Sequence, residues 1–297
     1  MVSVAHPLFE SLPDSPLVTS DWLAAHRGSD NLVVLDATVL VVPGFNGQSA
    51  YLSGDEQYLV TGHIPGAVFA DVMEVFSDPE GEYPFTRPSR GQFEHAARTV
   101  GVDSDSAVVV YDNAVGQWAS RLWWLFRAFG YDDVRVLDGG LKKWVAEGRA
   151  VDTGRVAPRH AGQFYAEADD GVWADKAFVQ GVLEGEHPAT LICGMSPKEF
   201  AGEAGSRPRL GHIPGSRSVP AARLVDPETN AYLSPERLCE VFGPEVVESG
   251  EPIVAYCAGG IAATSDALAL ALLGRTDVRV YDGSLNEWAS DPALPLV

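Results

Sequence analysis

Cysteine is scarce in this 297-residue sequence. The three cysteines, Cys193, Cys239 and Cys257, are too few for a disulfide framework, and none stands in a C-x-x-C pair or another metal-ligand spacing. Isolated thiols are typical of proteins in a reducing compartment. We therefore expect a cytoplasmic protein that binds no metal.

Long apolar segments and positive charge are also lacking. No apolar run approaches the ~20 residues that cross a bilayer, and the N-terminus has no basic region followed by an apolar core, so we predict neither a membrane span nor a signal peptide. The 21 Lys and Arg are outnumbered by 41 Asp and Glu, which gives a formal net charge of −20. This charge excludes nucleic acid and anionic membranes as partners. A site for a small anion must supply its own local positive potential.

The sequence contains an internal repeat. The turn GHIPG occurs at residues 62–66 and at 211–215, and DVRVLDGGLKKW at 133–144 matches DVRVYDGSLNEW at 277–288. The matching segments follow one another in the same order and lie about 145 residues apart. The chain is therefore predicted to hold two copies of one domain, which its length and its 46% hydrophobic content can support.

Each copy alternates apolar strand patterns with helical ones. AVVVYD at residues 107–112 is a buried-strand pattern, and the apolar stretch at 116–130 after it is predicted to be a helix. This alternation predicts an α/β fold with a mostly parallel sheet flanked by helices in each domain. We place the domains at residues 1–155 and 165–297, separated by a weakly periodic segment. The Gly- and Pro-containing section before the first GHIPG turn is predicted to be irregular.

The second copy carries a thiol at a strand-to-helix junction. The apolar run before Cys257 predicts a strand, Ala258, Gly259, Gly260, Ile261 and Ala262 form a small-residue loop, and an Ala/Leu-rich helix follows. The first N–H groups of a helix have no intrahelical partner and favour a nearby anion. A helix N-terminus lowers the pKa of a thiol from about 8.5 to roughly 3.5–7.5. The pattern predicts either a nucleophilic cysteine or a buried cysteine at the end of a strand.

The first copy has Asp112 where the second has Cys257. An aspartate caps a helix well but cannot act as a sulfur nucleophile. The first domain is therefore predicted to be catalytically silent and to supply a wall of a cleft between the domains.

The repeated GHIPG turns, the two DVRV-x-D-G-x-L-x-x-W segments and the single loop cysteine resemble the tandem-domain rhodaneses, the thiosulfate and 3-mercaptopyruvate sulfurtransferases. The resemblance extends over nearly the whole chain. It implies that Cys257 takes sulfane sulfur from a small anionic donor, holds it as a persulfide among the amides of residues 258–262, and passes it to cyanide or a thiol. It implies no cofactor.

The loop CAGGIA is uncharged and is similar to the mercaptopyruvate type, C-G-[ST]-G-V-T, but it lacks that motif's hydroxyls at Gly259 and Ala262. The family's arginines before the second GHIPG are also missing, since Met195 and Glu199 lie in that region. A carboxylate is best bound by a guanidinium group. We expect Arg207 and Arg209 to supply it, with Lys198 behind them, and the donor stays open between thiosulfate and mercaptopyruvate.

The other histidines and cysteines have mainly structural interpretations. His63 and His212 are expected to fix the GHIPG turns through hydrogen bonds, although His63 could face the cleft. Cys193 ends a predicted strand and is interpreted as a small buried residue or as a second thiol. Cys239 and the aromatic cluster near Trp118 are expected in the core.

Two other functions compete with sulfur transfer. A phosphatase would need an arginine that closes a C-x5-R loop, and Ala263 and Thr264 stand there instead. A non-enzymatic interaction or sulfur-relay module is compatible with the missing arginines and hydroxyls. Cyanolysis separates an active sulfurtransferase, which releases thiocyanate, from such a module.

Overall fold

A computed structural model describes residues 7–44 and 49–297. Within these ranges no helix is both long and apolar enough to cross a membrane. The chain forms two α/β domains, each with a five-stranded parallel sheet.

The first domain has the strand order β1-β7-β6-β2-β5, with every neighbouring pair parallel. Its strands β2 and β6 are apolar and buried, and α5 packs on β6 and β7 with the aromatic side chains that the sequence places in the core. The elements in chain order are α1 (Pro7–Ser11), β1 (Leu17–Val18), α2 (Ser20–His26), β2 (Leu32–Asp36), β3 (Val39–Pro43), β4 (Ser49–Ser53), α3 (Asp55–Val60), β5 (Val68–Phe69), α4 (Arg90–Thr99), β6 (Ala107–Tyr111), α5 (Gln117–Ala128), β7 (Val134–Leu137) and α6 (Gly140–Ala146).

The second domain repeats this topology as β8-β12-β11-β9-β10, again wholly parallel. Its elements are β8 (Trp173–Ala174), α7 (Lys176–Glu184), β9 (Thr190–Cys193), α8 (Pro197–Phe200), β10 (Arg217–Ser218), α9 (Pro235–Phe242), α10 (Pro244–Glu248), β11 (Ile253–Tyr256), α11 (Ala262–Leu272), β12 (Val278–Tyr281) and α12 (Ser284–Trp288), with 3-10 turns at Asp170–Val172 and Ala221–Arg223. The predicted α/β fold with two tandem copies is confirmed.

The section predicted to be irregular contains regular structure. β3 and β4 form an antiparallel hairpin, and α3 follows it. The apolar residues of β3 are a strand signal, but the Gly and Pro beside them led to the prediction of an irregular section. Residues 45–48 lie outside the described part of the chain. The hairpin matters because it brings a side chain to the functional site.

The segment between the domains runs along the first domain for longer than expected. Arg98 donates to the carbonyl of Phe164 (2.6 Å), and Phe164 is fully buried among first-domain aromatic rings. The N–H groups of Glu167 and Asp169 donate to carbonyls at the end of α5 (3.0 and 2.7 Å). We therefore propose a boundary near Asp169, later than the predicted segment at residues 155–165.

The domains share one core. The helices that follow the two equivalent loops, α5 and α11, pack against each other, and buried side chains of both domains form a continuous apolar cluster. α11 is apolar on nearly all sides because it lies between its own sheet and the other domain. The loop ahead of α11 is thereby held at the interface.

Candidate active site around Cys257

Cys257 follows β11 directly, at the carboxyl end of the middle strand of the second sheet. Ligand sites of open parallel sheets lie at this edge. Only 3% of the residue is exposed, and α11 begins five residues later. The strand, loop and helix therefore follow one another as the sequence predicts.

Three carbonyl groups of the cysteine loop accept hydrogen bonds from residues outside the loop. Backbone N–H groups of α12 donate to the carbonyl oxygens of Cys257 (3.1 Å) and Ala258 (2.9 Å), and Nη1 of Arg121 lies 3.4 Å from that of Gly260. The C=O and N–H of a trans peptide point in opposite directions, so the N–H groups that follow these carbonyls point away from α12 and Arg121. Among the described residues, the N–H groups of 258–262 donate to no acceptor.

Two small residues fix this loop conformation. Gly260 has φ +78°, and a Cβ there would lie 2.7 Å from the carbonyl oxygen of Asp282, so a side chain is excluded. The hydroxyl of Ser284 accepts from the N–H of Cys257 (3.1 Å) and donates to the carbonyl of Tyr281 (2.7 Å). Both contacts tie the loop to the end of β12.

In the equivalent loop of the first domain, the backbone N–H groups bind the carboxylate of Asp112. Its Oδ1 accepts from the N–H groups of Ala114 (2.8 Å) and Gly116 (3.1 Å), and its Oδ2 from those of Trp118 (2.9 Å) and Ala119 (3.0 Å). Burial raises the pKa of the carboxyl group, and these four donors oppose the rise. The first-domain loop is thus an anion nest that the chain's own carboxylate fills.

Tyr51 of β4 reaches the site from the first domain. Burial raises the pKa of its hydroxyl; the charges of Cys257 and Glu199 raise it further, and that of Arg207 lowers it. The Tyr51 ring packs edge-on against the rings of Phe85 (5.2 Å) and Trp118 (5.8 Å), which places it on the first-domain side of the site. No sequence pattern marks Tyr51, because its position depends on the hairpin.

A first-domain segment that includes Pro84 and Phe85 covers the cysteine loop. The carbonyl oxygen of Pro84 lies 3.8 Å from the place of a Cβ on Gly259. Phe85 has φ +64°, a strained value for a residue with a side chain, and its ring contacts those of Trp118 (5.1 Å) and Tyr51 (5.2 Å) edge-on. The predicted wall from the first domain is therefore aromatic.

The two candidate arginines have different surroundings. Nη2 of Arg207 lies 3.4 Å from Sδ of Met195, and its buried Nε has no acceptor among the residues that the structure describes. Within the described part of the chain Arg207 forms no ion pair. Arg209 donates to the carbonyls of Asp291 and Leu294 (both 2.6 Å), which secures the C-terminal segment. Arg207 is free to bind an anion, whereas the guanidinium group of Arg209 is already occupied.

The histidines of the GHIPG turns hold those turns. Nδ1 of His63 lies 3.0 Å from the carbonyl of Tyr58, and Nδ1 of His212 lies 2.8 Å from that of Phe200. Each imidazole also stacks on the ring of the same residue, at 3.9 and 3.6 Å. The structural interpretation is confirmed for both.

The other two cysteines are poor nucleophiles or lie elsewhere. Cys193 is fully buried beside Tyr256, and burial raises the pKa of its thiol to about 12, so the thiolate needed for attack is disfavoured at neutral pH. Cys239 lies in α9 and is half-buried, so its predicted place in the core is only partly correct. In the described ranges no cluster of three or more His, Cys, Asp or Glu could hold a metal ion.

Comparisons with known proteins agree with this geometry. The rhodanese-like domain model matches residues 19–147 and 189–291. The 3-mercaptopyruvate sulfurtransferase of Escherichia coli is 33% identical over 94% of this chain and 96% of its own, and the thiosulfate sulfurtransferase of Gallus gallus is 36% identical over 92% of each. The crystal structure of SseA from Escherichia coli, a 3-mercaptopyruvate sulfotransferase, superposes with a TM-score of 0.79 at 32% identity, covering 91% of this chain and 98% of that one.

Proposed function

Because this chain belongs to the rhodanese-like domain family and is a sulfurtransferase, we propose that Cys257 carries the transferred sulfur as a persulfide. The observation that carries this proposal is the loop itself. Within the described residues the N–H groups of 258–262 have no acceptor, whereas the first-domain loop is filled by the carboxylate of Asp112. The second loop therefore has room for an anionic sulfur.

The first half of the reaction loads the cysteine. The Cys257 thiolate attacks the sulfur of the donor, and an S–S bond forms. In mercaptopyruvate the C–S bond breaks and its electron pair stays on carbon, which takes a proton to give pyruvate; in thiosulfate the S–S bond breaks and sulfite leaves. The loop amides stabilise the charge of the persulfide, as donors aimed at a developing anion do.

The second half unloads it. Cyanide or a thiolate attacks the outer sulfur, the persulfide S–S bond breaks, and its electron pair returns to Cys257. The products are thiocyanate or the acceptor's persulfide together with the starting thiolate. No electrons are gained or lost overall, so no redox cofactor is needed.

We propose that Arg207 binds the anionic end of the donor. It is a half-buried guanidinium group without a carboxylate partner in the described residues, and its charge lowers the pKa of Tyr51, which the charge of Cys257 raises. A guanidinium group recognises a carboxylate or a sulfonate-like anion through paired hydrogen bonds. In a chain of charge −20, this local cation counteracts the repulsion of the donor.

Cyanolysis with Cys257→Ser tests the proposal. The wild-type protein should release thiocyanate with thiosulfate or mercaptopyruvate as donor, and its mass should rise by one sulfur atom before cyanide is added. The serine variant should fold normally but show neither the product nor the mass change. A wild-type protein that forms no persulfide with either donor would instead be an interaction module. We place the protein in the cytoplasm.

A further inference from the structure

Arg121 is a charged residue inside the apolar helix α5 and is fully buried. Its Nη2 lies 2.7 Å from Oδ1 of Asp282 and 2.8 Å from the carbonyl of Phe85, and its Nη1 lies 3.4 Å from the carbonyl of Gly260. Its guanidinium carbon lies 5.4 Å from the centre of the Trp173 ring. A buried charge requires such partners, and most of these belong to the other domain.

The acidic partner of Arg121, Asp282, also contacts the covering segment and the cysteine loop. Asp282 follows β12, and its other carboxylate oxygen accepts from the N–H of Arg87 (2.8 Å). The same residue's carbonyl is the atom that excludes a side chain at Gly260. The arginine therefore joins the first domain, the covering segment and the end of the cysteine loop through one guanidinium group.

The two ends of the loop are held differently. At its start, Ser284 and the N–H groups of α12 bind Cys257 and Ala258, all within the second domain. Near its end, among the described residues, Arg121 is the group that donates to the carbonyl of Gly260. Because the peptide is trans, holding that carbonyl outward directs the next N–H, that of Ile261, to the opposite side.

We propose that Arg121 is a positioning residue for sulfur transfer. Through it the first, catalytically silent domain fixes the orientation of the amides in the cysteine loop of the second domain. It touches neither donor nor persulfide; it acts through the peptide that follows Gly260. Its effect on turnover rests on the proposed function, but its effect on the ionisation of Cys257 does not.

The test measures the thiolate and the turnover separately. All proteins carry Cys239→Ser, so that Cys257 is the accessible thiol, and the pH midpoint of iodoacetamide alkylation is recorded beside thiocyanate release. The test variant is Arg121→Met with Asp282→Asn, which removes both charges of the pair. We expect its alkylation midpoint to rise by about one pH unit as amide donors turn away, and kcat to fall about 100-fold, as misplacement near 1 Å does.

Tyr232→Phe is the matched control. Its hydroxyl lies 3.0 Å from that of Ser120 in α5, so the change removes a partly buried contact between the domains and leaves the contacts of residues 257–262 in place. This variant should lower the melting temperature but leave the alkylation midpoint and kcat within about twofold of their starting values, because no contact to residues 257–262 is lost.

Equal midpoints and kcat values in the double variant and the control would overturn the proposal and leave Arg121 an interface residue. If the double variant does not fold, Arg121→Lys is the test variant, because lysine keeps the charge but cannot reach the oxygens of Asp282, Phe85 and Gly260 together. An unshifted alkylation midpoint in Arg121→Lys would also overturn the proposal. A wild-type protein without sulfur transfer would refute the proposed function, while the alkylation midpoints would still decide the role of Arg121.

Discussion

The two domains share their topology and differ at two strand ends. In the first domain β2 ends in Asp36 and β6 is followed by Asp112; in the second β9 ends in Cys193 and β11 is followed by Cys257. Carboxyl groups thus stand where the other copy has thiols. The comparison shows one backbone nest filled by a carboxylate in the first domain. In the second domain the side chain at the same place is a thiol, and there we propose that the nest receives an anionic sulfur.

The scaffold around these positions is the same in both copies. The hydroxyl of Tyr111 accepts from the N–H of Ile64 (3.0 Å), and that of Tyr256 accepts from the N–H of Ile213 (3.1 Å). The tryptophans of the repeated DVRV segments each donate to a carbonyl beyond α6 or α12. The contrast in chemistry therefore arises from single side chains.

Exchange of the two loop residues should give the largest effect. Cys257→Asp is expected to abolish thiocyanate release with both donors, because the carboxylate fills the nest and no sulfur nucleophile remains. The fold should persist, since Asp112 already occupies an equivalent loop. Thiocyanate release and circular dichroism check the two parts.

Asp112→Cys combined with Cys257→Asp completes the exchange. The cation proposed to bind the donor, Arg207, belongs to the second domain, and its charge acts beside Cys257 rather than beside the first loop, so the combined variant should stay inactive. Recovery of sulfur transfer would show that the surroundings of the first loop are also competent.

Asp112→Ala should cause the next largest change, in stability. It leaves four N–H groups, two buried and two partly buried, without their acceptor, and we expect the free energy of unfolding to fall by about 4 kcal/mol. Urea unfolding monitored by tryptophan fluorescence measures it. Asp112→Asn, which keeps one acceptor oxygen, should lose about half as much; an unchanged midpoint in the alanine variant would mean that water satisfies the nest.

Much of this contrast is predictable from the sequence because it is local. The spacing of repeated segments gives the two copies, the apolar runs give the central strands, and the thiol before Gly259 and Gly260 gives the loop. Each of these signals depends on neighbours along the chain, as periodicity and turn chemistry do.

The parts that sequence could not predict depend on contacts between distant segments. Tyr51 lies near the site only because a hairpin carries it there. Arg207 and Arg209 differ in their acceptors, a methionine sulfur for the first and backbone carbonyls for the second. Arg121 had a usable signal: a charged residue on the inward face of an apolar helix needs a buried partner. What the sequence could not supply was the identity of that partner, Asp282, in the other domain.

The two domains should also differ, by a smaller amount, in how their stability depends on pH, because Asp36 titrates and its counterpart Cys193 does not. Burial raises the pKa of Asp36 to about 6 from 3.8, so the folded state keeps a proton that the unfolded state releases. Its contribution to stability is complete below pH 3.8 and is lost as pH rises towards 6, by about 3 kcal/mol in total. Asp36→Asn keeps an acceptor for the N–H of Thr38 and removes the titration.

Urea unfolding at pH 4, 5 and 6 should therefore show a shallower fall in stability for Asp36→Asn than for the wild type over this range. Cys193→Ser is the control from the other domain, because that thiol, with a pKa of about 12, does not titrate there. Parallel curves for all three proteins would place the proton of Asp36 elsewhere.

Replacement of the candidate arginines should give the smallest effect, and it decides whether the active domain supplies its own cation. Arg207→Ala is expected to raise KM for mercaptopyruvate about tenfold with kcat little changed, because it removes a charge-assisted hydrogen bond to the substrate's carboxylate. Arg209→Ala is the matched control: it removes the same charge two residues away, where the guanidinium group binds carbonyls of the C-terminal segment, so it should lower stability and leave KM unchanged. Equal changes in KM for both variants would indicate general electrostatic attraction of the donor rather than a binding site at Arg207. Repeating the assay at higher salt separates the two causes, because screening weakens the general attraction far more than a direct contact.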